Sequence, residues 1–159
     1  MTDNEPDAQT KHTGGCQCGA VRYRISSFGR SSICHCRMCQ KALGGPFAAL
    51  VAVYELEYTR GEPAYYQSSN KVRRGFCNQC GSPLTFEFEG VNPDVTVTTL
   101  DDPGLAPPVV QLGLESMLPW CEGLADMPKE GAGAVETGIQ SYQHPDHDTA
   151  IWPQKDMSE

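Results

Sequence analysis

The chain has 159 residues, with 12 Lys+Arg against 20 Asp+Glu and a formal charge of −8. That length predicts one domain, and 39% hydrophobic residues exclude wholesale disorder. The acidic balance opposes phosphate-backbone binding, so nucleic acid is excluded as the expected partner. Membrane insertion is excluded too: no apolar run approaches the ~20 residues of a membrane span, and the polar opening lacks the apolar stretch of a signal peptide. We expect a cytoplasmic protein.

Residues 1–13 are polar and read as a flexible segment. A domain is expected over residues 14–128. Alternation of apolar and polar residues, rich in β-branched and aromatic types, predicts strands over 20–25, 47–53, 65–67, 72–76, 84–88, 95–100 and 108–112. Turns carrying Gly, Pro or Asp separate them at 44–46, 61–63, 91–94 and 101–104. The helical stretch expected is short, over 37–43. Beyond Trp120 the pattern decays, and residues 129–159 read as a polar tail that lies over the domain or is partly disordered. The fold class is therefore mainly β with one short helix.

Chemistry enters with 8 cysteines, which fall into groups. Cys16 and Cys18 form C-x-C, Cys34, Cys36 and Cys39 form C-x-C-x-x-C, Cys77 and Cys80 form C-x-x-C, and Cys121 stands alone. An even count in an exported chain would suggest disulfides, and thiol redox chemistry is a further reading; tight pairs in a reduced compartment point instead to zinc. In extended backbone, residues i and i+2 share a face, so Cys16 and Cys18 can clamp one ion while Gln17 points away. C-x-C plus C-x-x-C supplies the four ligands of a closed structural zinc: Cys16, Cys18, Cys77 and Cys80. The remaining Cys34, Cys36 and Cys39 supply three, leaving a position for water or substrate. Two zinc ions per chain follow. Either Cys121 closes the second site or it is a small core residue.

Other polar residues read as framework. His35, between two ligands, should project away from them. Arg37, Lys41, Lys71, Arg73 and Arg74 read as solvated surface, His144 to Asp148 as a solvated polar stretch, and Asp101 and Asp102 as turn residues. Trp120 and Phe47 read as core aromatics.

The motifs GGCQCGAV (residues 14–21), CHCRMCQ (34–40), RGFCNQCGSPL (74–84), TLDDP (99–103) and ESMLPW (115–120) resemble the glutathione-dependent formaldehyde-activating enzyme/CENP-V family. The resemblance implies a zinc-stapled Mss4-like (β-tent) fold, a structural zinc on Cys16, Cys18, Cys77 and Cys80, and a second zinc on Cys34, Cys36 and Cys39. It also implies a carbon–sulfur lyase, S-(hydroxymethyl)glutathione synthase-like, whose partners are a small-molecule thiol and an aldehyde, or their adduct. Where family members often carry a His-Ile pair this chain has Gln111 and Leu112, and where Glu-Ser-Lys is frequent it has Met117 in the last place. Two other functions fit the same residues: zinc-assisted hydrolysis at the open site, and a non-catalytic zinc-stabilised binding module.

Overall fold

The computed structural model describes residues 11–131 and 138–152. It is mainly β, in two antiparallel-dominated sheets. The smaller contains β1 (His12–Gly15), β2 (Arg22–Ile25) and β5 (Glu57–Arg60), in the order β1-β2-β5. The larger contains β3 (Ser27–Cys34), β4 (Ala48–Tyr54), β6 (Ala64–Gln67), β7 (Val72–Phe76), β8 (Pro83–Phe88), β9 (Asp94–Thr96) and β10 (Gln111–Leu112), in the order β10-β3-β4-β9-β8-β7-β6. The α-helix, α1 (Arg37–Leu43), follows β3 directly and ends where Gly44 turns left-handed, φ 65°. Short 3-10 turns fill much of the chain from Val97 to Asp126.

β4 explains why the larger sheet holds chemistry on both faces. Its run AALVAVY lacks polar residues until Tyr54, the pattern of a strand covered on both sides. Val51 and Val53 face the main core with Tyr23, Ile25, Leu84 and Val95, whereas Ala48 and Leu50 face a second cluster with Cys39, Leu43 and Phe86.

The expected helix matches α1, and strands at 72–76 and 84–88 match β7 and β8 closely. Three predicted strands shorten, the one over 20–25 only by beginning at Arg22. The 95–100 stretch leaves the ladder after Thr96 and tightens into a 3-10 turn over Val97–Thr99. Over 108–112 the strand proper is Gln111 and Leu112, parallel to Ile33 and Cys34; Val109 N still donates to Ser31 O at 3.1 Å and Val110 O accepts from Ile33 N at 2.9 Å, whereas prolines at 107 and 108 have no N–H to give a ladder. β1, β3 and β5 were not expected. β3 is SFGRSSIC, whose serines, glycine and arginine obscure the alternation, and its pairing with β4 breaks at a bulge between Phe28 and Ser31.

In the HPDHD stretch Asp146, His147 and Asp148 are exposed as the solvated reading expects, and His144 corrects it. His144 is only 5% exposed; its backbone N–H donates to Gln17 O at 2.7 Å, and its ring lies so close to Gly19 that a Cβ there would collide with it. Nearby, Arg60 donates to Thr149 O, Asp148 pairs with Arg22 at 2.8 Å and Trp152 Nε1 donates to Cys18 O.

Asp101 is a structural carboxylate, as its turn setting suggested, but with a buried partner. Arg22, 4% exposed in its side chain, donates to it through both terminal nitrogens, Nη1 to Oδ1 at 2.8 Å. Burial alone would raise the Asp101 pKa; hydrogen bonds from Arg22 and Thr13 outweigh it and hold the carboxyl below its ordinary range. A folded-state pKa below the unfolded value, ~4, gives stability that is present above that value and lost as pH falls through the folded one. Asp101→Asn is therefore expected to cost about 3 kcal/mol near neutrality. In melts recorded from neutral to acid pH, the gap between wild type and variant should close below pH ~4; a gap independent of pH would reject this account.

Candidate metal centres

The first centre is built from two facing turns. One joins β1 to β2 and carries Cys16 and Cys18; the other joins β7 to β8 and carries Cys77 and Cys80. Each turn closes on a backbone bond to its first cysteine, Gly19 N to Cys16 O at 3.1 Å and Gly81 N to Cys77 O at 2.8 Å. Gly19 and Gly81 both have φ 79°, which a side chain would oppose. The turns also touch one another through Gln17 N donating to Ser82 Oγ at 2.9 Å. The group therefore joins the smaller sheet to the larger.

All four Sγ atoms lie within 4.8 Å of one another. Cys16 to Cys18 is 3.6 Å and Cys18 to Cys77 is 3.9 Å. A tetrahedral ion with ~2.3 Å metal–sulfur bonds sets its sulfurs ~3.8 Å apart, whereas a disulfide needs ~2.05 Å. The donor set fits a metal ion, and all eight cysteines are free. Burial raises the thiol pKa values of Cys16 and Cys18. At Cys80 burial is overcome by hydrogen bonds to Ser82 and Cys18, and the pKa falls to about 6.

The second centre lies where β3 runs into α1. The Sγ atoms of Cys34, Cys36 and Cys39 lie within 4.8 Å of one another. Cys36 is the N-cap of α1, its sulfur accepting from Cys39 N at 3.4 Å, so capping the helix and gathering the thiols are one arrangement. Gly113 makes room for it: φ is 67°, and a Cβ there would stand 2.9 Å from Cys36 N. Gln40, 4% exposed, secures the helix from the other side, its Nε2 donating to His35 O at 2.7 Å and to Ser116 O at 3.0 Å. Burial pushes the Cys34 pKa up to about 12. Cys36 goes the other way because hydrogen bonds from the helix N-terminus and neighbouring thiols overcome its burial.

Among the described residues, no further His, Cys, Asp or Glu ligand atom joins this second group. Cys121 lies apart from it, in the 3-10 segment Pro119–Asp126, on the wall of a cavity of about 570 Å³ that it shares with His35, Phe47, Gln111 and Met117. His35 points away from the thiols as expected. It is 2% exposed, packs edge-on against Phe47, and has Nε2 2.8 Å from Gln111 Oε1. Gln111 and Met117, two of the three positions at which this chain departs from the family pattern, thus line one cavity with Cys121. Trp120, read as core, is 48% exposed.

Arg74 is the residue that the surface reading missed. It is 3% exposed, with Nη2 3.3 Å from Cys39 Sγ. Burial raises the Cys39 pKa, and the Arg74 hydrogen bond opposes that rise. The signal available in the sequence was its place two residues after Val72 on β7, since alternate strand residues share a face.

A family model described as glutathione-dependent formaldehyde-activating enzyme matches residues 11–115. A putative glutathione-dependent formaldehyde-activating enzyme of Halomonas elongata is 30% identical over 131 residues, covering 69% of this chain and 78% of its own. An uncharacterised lyase of Schizosaccharomyces pombe is 31% identical over 86 residues; the match covers 52% of this chain and spans 63% of that relative's length. A crystal structure of a Rhodobacter sphaeroides protein aligns with TM-score 0.49 and 25% identity, covering 62% of this chain and 98% of its own. The match of the family model to most of the chain, over all seven clustered cysteines, has one conclusion: the chain belongs to the glutathione-dependent formaldehyde-activating enzyme family.

Proposed function

We propose that the protein is a zinc-dependent carbon–sulfur lyase-type enzyme acting on the adduct of a glutathione-like thiol and a small aldehyde. In the synthetic direction the thiol sulfur forms a bond to the carbonyl carbon, and the thiol proton ends on the carbonyl oxygen; cleavage reverses both changes. Cys16, Cys18, Cys77 and Cys80 would hold a structural zinc, and Cys34, Cys36 and Cys39 a second. Zinc bound at three thiolates supplies Lewis acidity, which lowers the pKa of a thiol or polarises a carbonyl oxygen. The single observation that carries the reading is the three-membered second group, with Cys121 outside it.

The chain's own residues supply the setting. Cys36 and Gln40 fix the helix that presents the thiols, and Arg74 brings positive charge to an acidic protein at the place where anionic thiols gather. The names of the relatives support a lyase.

The test is exchange spectroscopy on carbon-13 formaldehyde mixed with glutathione, which resolves free aldehyde from adduct. Protein with two zincs should accelerate the exchange. A mild chelator should remove the second zinc and the acceleration while circular dichroism stays unchanged. Cys121→Ala should keep both ions and the rate. Absence of acceleration, or turnover of a thioester or other ester without added thiol, would overturn the lyase reading.

A further inference from the structure

Arg73 and Arg74 are neighbours on β7 with opposite fates. Arg73 is at the surface, stacked over Tyr65 at 4.3 Å and paired with Glu87 at 2.7 Å. Arg74 is 3% exposed and, among the described residues, pairs with no carboxylate. An arginine keeps its charge wherever proteins fold, and burying a charge without a countercharge costs several kcal/mol. The contacts that hold Arg74 are Nε donating to Ser68 Oγ at 3.0 Å, the guanidinium 4.9 Å from the Phe86 ring centroid, and Nη2 at 3.3 Å from Cys39 Sγ. Ser68 and Phe86 are uncharged. The anionic partner within reach is the thiolate group itself.

We propose that Arg74 is the positioning residue of the second centre: it fixes the Cys39 sulfur and supplies the countercharge of the three thiolates. This rests on the reading of that group as a zinc site. Three thiolates around a dipositive ion carry one net negative charge, and one guanidinium cancels it. An anion approaching the fourth side then meets no net repulsion, which is the condition a substrate thiolate requires. The geometry also divides the labour, with α1 carrying Cys39 and the sheet carrying its partner; Phe86 and Tyr66, the cross-strand neighbours of Arg74, keep β7 in register.

Arg74→Met keeps an apolar stem and removes the charge and the donor; Arg74→Lys returns the charge. The experiment loads wild type and both variants with cobalt(II), records the sulfur-to-cobalt charge-transfer bands, and measures zinc retention at each site against a competing chelator. Arg74→Met is expected to weaken the second site by about 10- to 100-fold, the range for loss of an outer partner of a metal ligand, with the first site unchanged. Its charge-transfer bands should move to lower energy, because a thiolate without a hydrogen-bond donor holds its lone pair less tightly. Arg74→Lys should recover part of the affinity, and, should the methionine variant fail to fold, Arg74→Gln, which keeps a donor without the charge, is read in its place with the same expected loss at the second site. Unchanged bands and affinity in the variants, even with a lower melting temperature, would make Arg74 a packing residue and overturn the inference. A wild-type protein that binds one ion would instead remove the zinc reading beneath it and the inference with it.

Discussion

Cys77→Ser is expected to leave no cooperative melt and no zinc at the first centre. Cys77 is fully buried, and its sulfur belongs to the group that joins the turn after β1 to the turn after β7. A structural zinc contributes roughly 10–16 kcal/mol when it binds, as much as the whole net stability of an ordinary domain, about 5–15 kcal/mol. Serine removes a thiolate ligand and leaves a hydroxyl in the apolar core that also holds Val21 and Leu84. Elemental analysis with near-ultraviolet circular dichroism reads both effects. A variant melting at the wild-type temperature would show that the first centre does not hold the sheets together.

Cys36→Ser is expected to do the opposite: a folded protein with one zinc fewer and no acceleration of adduct exchange. The fold survives for a local reason. Cys36 caps α1 by accepting from Cys39 N, and serine is among the best residues for that task, so the helix start keeps its acceptor while the second group falls to two sulfurs. With the second site emptied by a mild chelator in both proteins, a stability change within about 1 kcal/mol, together with complete loss of activity in the zinc-loaded variant, would separate the two centres cleanly. Equal melting curves for Cys36→Ser and Cys77→Ser would erase the division into a structural and a catalytic group.

Short spacing gathered the cysteines into groups, because ligands one or two residues apart have few ways to point, and counting ligands to four joined Cys16 and Cys18 to Cys77 and Cys80 and left Cys34, Cys36 and Cys39 together. β8 was legible because Leu84 to Phe88 alternate apolar and polar residues. β3 was not, since its hydrogen bonds and its neighbour β4, rather than its side chains, make it a strand. Arg74 was misread because an arginine in a charged pair on a strand ordinarily faces water, and the sulfur that reverses this lies 35 residues away in sequence. His144 was misread likewise; its burial depends on Gly19, 125 residues earlier. Long-range partners of this kind leave no local periodicity to detect.

The packing of residues 138–152 over the first centre imposes an order on biosynthesis. The four cysteines are all translated by residue 80, and chains emerge from the ribosome N-terminal end first at about 5–20 residues per second. The sulfurs therefore exist for several seconds before His144 and Trp152 arrive to cover Gln17, Gly19 and Cys18. An ion taken up by these sulfurs would meet them before that segment closes over them. The later segment, packed on Gln17, Gly19 and Cys18, would then cover a filled centre without having to guide an ion's entry.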